Sequence, residues 1–256
     1  RKHLIIPAGI CATFVVCLTP IAIYGAQQWL GLWPDDNTVV RQFHHRIKWL
    51  WLYMELGTLV TGLVVAWRYK YPFLIMPIAV TLWYISMDAV MLIIDHEDLW
   101  NSYSWQFRAL VSMYFGALMT LLAFWVDIRA RNTADYAFWL YLFGVLAFWG
   151  GLTSQDSDSE LSKFIYFCIN LAMIGAGALL VRRVFVIFGA LGCCLYLGHL
   201  ASTVFEDSWL FPVALSAIGL GVVYSGIWWQ KNEARITKSA QAILPKALQE
   251  LLANKA

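Results

Sequence analysis

The sequence predicts an all-α protein, a polytopic transmembrane bundle of about eight helices with both termini on the cytoplasmic side. Three observations predict it. Apolar residues make up 61% of the chain against 13% charged, where an ordinary soluble domain is roughly a quarter charged. The apolar residues gather into eight runs of spanning length, and Lys and Arg concentrate on alternate connections between them.

A soluble core of this size has no room for so much apolar surface. The 14 Trp and 12 Tyr suit the two headgroup levels of a bilayer, where an amphipathic ring keeps its polar edge wet. A net charge of +2 is too small to favour nucleic acid as a partner. The expected partner is the lipid bilayer. Cys11, Cys17, Cys168, Cys193 and Cys194 all fall in apolar runs and read as small hydrophobes rather than a disulfide framework or metal knuckle. The adjacent Cys193 and Cys194 are the one redox candidate, and neighbouring cysteines seldom reach disulfide geometry.

The eight spans run approximately 4–26, 49–67, 73–94, 109–126, 136–153, 164–181, 184–205 and 208–230. At 1.5 Å per residue the shortest still covers roughly 27 Å, close to the hydrocarbon thickness. The first follows Arg1 and Lys2 like a signal peptide, yet its apolar run is too long and Tyr24 interrupts a cleavage pattern before Gln27, so it counts as a helix. A start at Arg1 rather than Met is compatible with a short preceding piece.

Orientation follows from the connections, because cytoplasmic loops retain Lys and Arg. On the N-terminal side lie Arg1, Lys2, Arg68, Lys70, Arg129, Arg131, Arg182, Arg183, Lys231, Arg235, Lys238, Lys246 and Lys255, and on the other only Arg41, Arg46, Lys48, Arg108 and Lys163. That asymmetry puts both ends inside, in a bacterial inner (plasma) membrane. Beyond Trp229 the tail, 231–256, sets Ile236, Ala240, Ile243, Ala247, Leu248, Leu251 and Leu252 at helical spacing opposite Lys238, Lys246 and Lys255. It reads as an amphipathic segment lying in the cytoplasmic interface or docking a protein partner, with Pro245 dividing it.

The chain also reads as a tandem duplication. At an offset of 104, Ser104, Trp105, Phe107, Ser112, Trp125 and Ala130-Arg131 meet Ser208, Trp209, Phe211, Ser216, Trp229 and Ala234-Arg235. At an offset of 115, Lys48, Leu56, Gly62 and Arg68 meet Lys163, Leu171, Gly177 and Arg183. The expectation is two four-helix membrane repeats, 1–134 and 135–230, parallel because each contains an even number of spans, with the tail 231–256 after them.

A charged group in hydrocarbon costs roughly 2.5 kcal/mol or more, so each one asks for a reason. Glu55 and Asp88 are the two acids well inside the expected spans. Asn170, which the 115 offset matches to Glu55, lies at a similar depth, and His199 slightly shallower. All four fall roughly 6–9 Å beneath the outer surface by helical rise and could line one outward-facing polar chamber. Carboxylate and imidazole are groups able to pass a proton near neutral pH. Thr58, Ser86, Ser112 and Ser216 offer hydroxyls nearby. The alternative is that these groups only hold helices together.

A second polar cluster, His44-His45 with Asp95-His96-Glu97-Asp98, reads as a wet rim, without the fixed spacing of a zinc site. There is no G-x-S-x-G, H-E-x-x-H, P-loop or dinucleotide fingerprint, no lysine inside a span for retinal and no opposed deep histidines for haem. No cofactor is named by the sequence. Gly175, Gly177, Gly219, Gly221 and Gly226 read as close helix packing.

The first functional reading is a transporter or channel for a small solute, a proton or another cation, with an outward-facing polar chamber. The others are a non-catalytic membrane subunit or sensor whose tail docks a partner, and an intramembrane enzyme using Glu55, Asp88 and His199. The orientation has a direct test. A cysteine placed in the 154–162 connection should react with an impermeant thiol reagent added outside, while one beside Arg182 should not; the reverse labelling would invert the topology.

Overall fold

The computed structural model describes residues 5–33, 40–93, 102–129, 135–155, 159–204 and 211–241. They contain no strand. Eight helices follow one another: α1 (Ile5–Trp29), α2 (Val40–Tyr69), α3 (Ile75–Ile93), α4 (Ser102–Arg129), α5 (Ala137–Thr153), α6 (Glu160–Leu180), α7 (Arg183–Val204) and α8 (Phe211–Gln241), with one turn of 3₁₀ helix at Pro72–Leu74 leading into α3.

Six of the eight are long and apolar enough to cross a membrane, over Pro7–Trp29, Trp49–Tyr69, Pro72–Ala89, Trp105–Arg129, Glu160–Leu180 and Arg183–Thr203. α5 is equally apolar but has only 17 residues, about 26 Å of helix. α8 carries no charged residue from Phe211 to Gln230 and then continues as a charged helix from Lys231. Only 22 to 33% of the residues in each span are buried. Large apolar side chains such as Phe14, Ile21, Trp67, Leu118 and Leu220 stand outward. In water such faces would be an aggregation surface; against lipid they cost nothing. The six helices are therefore compatible with an integral membrane protein in contact with the bilayer.

Helix ends depart from the sequence reading where a polar residue continues a helix past the apolar run. α2 begins at Val40 rather than near 49, and α4 spans Ser102–Arg129 rather than 109–126. The consequence for α4 is chemical: Arg108 lies inside the helix instead of in a loop, and Asp127 falls in its last turn, only 8% exposed.

The chain packs as two compact units, Arg1–Gln155 and Asp156–Ala256. In the first, α3 touches α1, α2, α4 and α5 and is the central helix. Its buried Ile78 and Thr81, with Leu74 of the preceding turn, follow helical spacing. Across from it Gly62 of α2 allows Ile78 and Val16 to approach, and Ala12, Val16 and Leu74 close into a small apolar core. α5 belongs to this first unit, so the compact body continues one helix beyond position 134.

α4 and α5 pack backbone to backbone. A Cβ on Gly116 would lie 2.2 Å from the Phe148 amide nitrogen, and one on Gly151 would lie 2.4 Å from the Ala109 carbonyl oxygen. A Cβ on Gly144 would meet Thr120 at 2.8 Å. At one end of this unit aromatic and basic groups gather: Arg129 lies over Trp125 at 4.8 Å, Arg68 over Tyr69 at 5.6 Å, and Phe73 meets Trp139 edge-on. The Tyr136 hydroxyl donates to the Lys70 carbonyl, tying the α2–α3 connection to the start of α5.

In the second unit α6 and α7 form a hairpin whose turn is Val181-Arg182. Val181 is left-handed (φ 56°) and the Arg182 amide donates to the Gly177 carbonyl at 3.0 Å, a glycine-type helix stop carried by a β-branched residue. α8 packs on both helices. Of the five glycines expected at close contacts only Gly177 is one, pressed on Val186; side chains at Gly175, Gly219, Gly221 and Gly226 would meet nothing within 4 Å.

The two kinds of glycine should separate in a stability assay. Gly116→Ala should lower the thermal midpoint in detergent by an overpacking cost of about 1–3 kcal/mol, whereas Gly175→Ala should be neutral or gain up to about 1 kcal/mol in helix propensity.

Candidate functional site

Three consecutive helices of the first unit each deliver one ionisable side chain to the same place. On α2, Met54, Glu55 and Thr58 form the buried face and are 6%, 9% and 6% exposed. On α3, Asp88 continues the stripe of Ile78 and Thr81 two turns further on and is half-buried. On α4, Arg108 sits one turn before Ser112, which is 4% exposed.

The carboxyl groups of Glu55 and Asp88 face each other, and the Arg108 guanidinium is the charged neighbour of Asp88. Two ionised carboxylates have only acceptors, so a hydrogen bond between them requires a proton on the pair. One shared proton would leave the pair with a single negative charge, which Arg108 would balance. The cluster is then neutral as a whole, which makes it tolerable inside a bilayer. It is not fully satisfied. Glu55 Oε2 and Arg108 Nε are buried and have no hydrogen-bond partner among the described residues.

The cluster is braced from below. Trp83 Nε1 of α3 donates to Ser112 Oγ of α4 at 3.1 Å, and Ser112 in turn donates to the Ala147 carbonyl of α5 at 3.0 Å. Trp83 lies little more than a turn from Asp88, and Ser112 one turn from Arg108, so this ladder fixes the register of α3 against α4 next to the ionisable groups. The other hydroxyls noted in the sequence are spent within their own helices: Thr58 on Met54, Ser86 on Trp83 and Ser216 on Pro212.

Asn170 and His199 lie in the second unit, where the structure does not bring them together. Asn170 is fully buried; its Nδ2 donates to the Tyr166 carbonyl at 2.8 Å, and its side chain presses on α7 where a Cβ at Gly192 would lie 1.9 Å from Oδ1. It is a packing contact of the α6–α7 pair. His199 stands seven residues further along α7, about 10 Å by helical rise. Its Nε2 is 3.6 Å from Glu160 Oε1, and Glu160 pairs with Lys163 at 2.8 Å. That trio is a half-exposed charge group at the start of α6.

Sequence reasoning missed Arg108 because it began the fourth span at 109, just past this residue, whereas α4 begins at Ser102. The signal that could have found it is charge balance, since two membrane-buried acids call for a buried cation. The side chains of His44 and His45 and the run 95–98 lie outside the described residues. Among the described residues no group of three or more His, Cys, Asp or Glu is placed to hold a metal ion, and the five cysteines are free thiols. An apolar groove of about 280 Å³ lies between α1 and α2, lined by Pro20, Ile21, Tyr24, Trp33, Trp51 and Met54.

No protein-family model matches the chain, and neither the curated proteins nor the solved structures contain a detectable match. Function rests on the site alone.

The bracing ladder predicts unequal effects for two serines. Ser112→Ala strands the Trp83 indole N–H and should cost about 1–3 kcal/mol. Ser216→Ala, which loses only a bond within its own exposed helix, should stay within about 0.5 kcal/mol. Thermal unfolding of the two variants side by side checks this.

Proposed function

We propose that the protein is a proton-linked membrane transporter for a small solute, and that the Glu55–Asp88 pair is its proton site. The observation that carries this reading is the facing pair of carboxyl groups, Glu55 and Asp88, within apolar helices, with a guanidinium beside it and an unspent acceptor on Glu55. Intramembrane ionisable groups are rare and cluster on ion and substrate paths. A pair holding one proton can both take up a second and release the first.

In this reading α5 and α8 complete eight crossings with both termini cytoplasmic, which the Lys and Arg asymmetry favours. Glu55 lies six residues inside the span that opens at Trp49, about 9 Å. The pair thus sits near one face, outward under this topology. The tandem halves of the sequence reading supply a second copy of the helix frame in which the Glu55 position carries Asn170.

Glu55→Gln separates ionisation from packing, because the amide keeps size and hydrogen bonding but cannot titrate. In proteoliposomes carrying an internal pH dye, wild type should move protons with at least one solute from a panel of amino acids, sugars, small acids and monovalent cations. Glu55→Gln should retain wild-type expression and thermal midpoint while losing that flux or shifting its pH dependence. Proton-coupled flux unchanged across pH in a well-folded Glu55→Gln protein, or wild type that moves protons with no solute in the panel, would sink the proposal.

A further inference from the structure

The charge balance of the cluster points to the class of solute, an inference that rests on the transport reading above. With one proton on the carboxyl pair, Glu55, Asp88 and Arg108 sum to zero. A second proton makes the pair neutral and leaves the guanidinium without a counter-ion. No other described helix of the unit supplies one. α1 and α5 contain no Asp, Glu, Lys, Arg or His; α3 has only Asp88; and Asp127 and Arg129 of α4 lie about 28 Å along the helix from Arg108. On α2 the remaining ionisable residues are Arg41, His44, His45, Arg46 and Lys48 at its start and Arg68 at its far end, all bases. Among the described residues, then, the doubly protonated cluster is a cation without a counter-ion, which a monovalent anion would neutralise.

The unspent atoms match that pair of arrivals. Glu55 Oε2 is a buried acceptor able to receive a proton, and Arg108 Nε is a buried donor without a partner. Nε–H together with the adjacent Nη–H forms the parallel fork that fits a planar carboxylate in a bidentate way. A cation is disfavoured here, because a guanidinium has no lone pair to offer it and repels it. We propose that Arg108 binds a small monovalent organic anion of the carboxylate class, and that this anion enters together with one proton taken by the Glu55–Asp88 pair. The exchange is electroneutral: the proton adds to a carboxylate oxygen, the anion pairs with the guanidinium, and no covalent bond of the anion changes.

Binding and proton uptake are then reciprocal. The full-length protein in detergent would be titrated with sodium acetate, lactate and benzoate, with sodium chloride at matched ionic strength as the control. The expected result is saturable binding, read as a thermal-midpoint rise and by calorimetry, for at least one of the carboxylates. Its affinity should weaken by up to about tenfold per pH unit between about pH 6 and about pH 8. Glu55→Gln/Asp88→Asn, which can no longer ionise, should bind the same anion with no pH dependence over that range. Arg108→Gln should lose binding by more than tenfold. Arg108→Lys keeps the charge without the fork and reads the same contact should the Gln variant fold poorly; it should be weakened by several-fold. Absence of binding by all three carboxylates at both pH values, wild-type affinity in the folded Arg108 variants, or stabilisation by sodium ion alone would overturn the assignment. A proton-linked flux of a sugar, neutral amino acid or cation that Glu55→Gln abolishes and Arg108→Gln leaves intact would overturn it too, while leaving proton-linked transport standing.

Discussion

The close approach of α4 to α5 is the constraint on which the first unit depends. Lipid tails are as apolar as leucine, so burying apolar side chains gives membrane helices no net reason to associate. What remains is packing and hydrogen bonding at short range. Gly116, Gly144 and Gly151 let two backbones come within a distance that any Cβ would block. Once they are in contact, the Ala147 carbonyl lies within reach of Ser112, and Ser112 within reach of Trp83. α3 is placed on α4 by that ladder, and α2 is placed on α3 through Gly62 and Ile78. Arg108, Asp88 and Glu55 meet at the end of this chain of contacts, so the polar cluster is a consequence of glycines on two helices, one of which contributes nothing to it.

The cluster in turn shows how a bilayer sorts charge. Each of its three groups alone would be expensive in hydrocarbon. Together, with one proton, they cancel, and the residual polarity is concentrated in two atoms, a carboxyl oxygen and a guanidinium nitrogen.

Eight helices and the apolar character of their faces were legible in the sequence, because spanning length and low charge are properties of one segment at a time. Glu55 and Asp88 were legible for the same reason, an acid in an apolar run being visible without knowing its neighbours. Contacts between helices were not. Helices surrounded by lipid are apolar all round and carry no amphipathic stripe to mark the face that meets protein. That is why Gly219, Gly221 and Gly226 looked like packing glycines in α8 while the decisive ones were in α4 and α5. Helix ends were the other weakness. Polar residues such as Arg108 continue a helix beyond its apolar stretch, and a boundary drawn by hydropathy alone moves them into a loop and out of the site. Asn170 shows the converse. Its register match to Glu55 was visible, but the glycine opposite it, Gly192, made it a packing residue rather than a neighbour of His199.

The depth of the cluster has an electrical meaning. Glu55 lies about 9 Å inside its span, against a hydrocarbon thickness of about 30 Å, so a charge reaching it from the nearer face crosses only about a third of the membrane field. At 100 mV that is worth roughly 0.7 kcal/mol, while the remaining apolar two-thirds of α2, α3 and α4 carries roughly 1.5 kcal/mol per charge. Under the proposed transport reading, loading from the near side would be almost insensitive to voltage, and any voltage dependence of a full cycle would belong to the longer leg on the other side. A neutral cargo, a proton and an anion arriving together, would leave even that leg without an electrical cost.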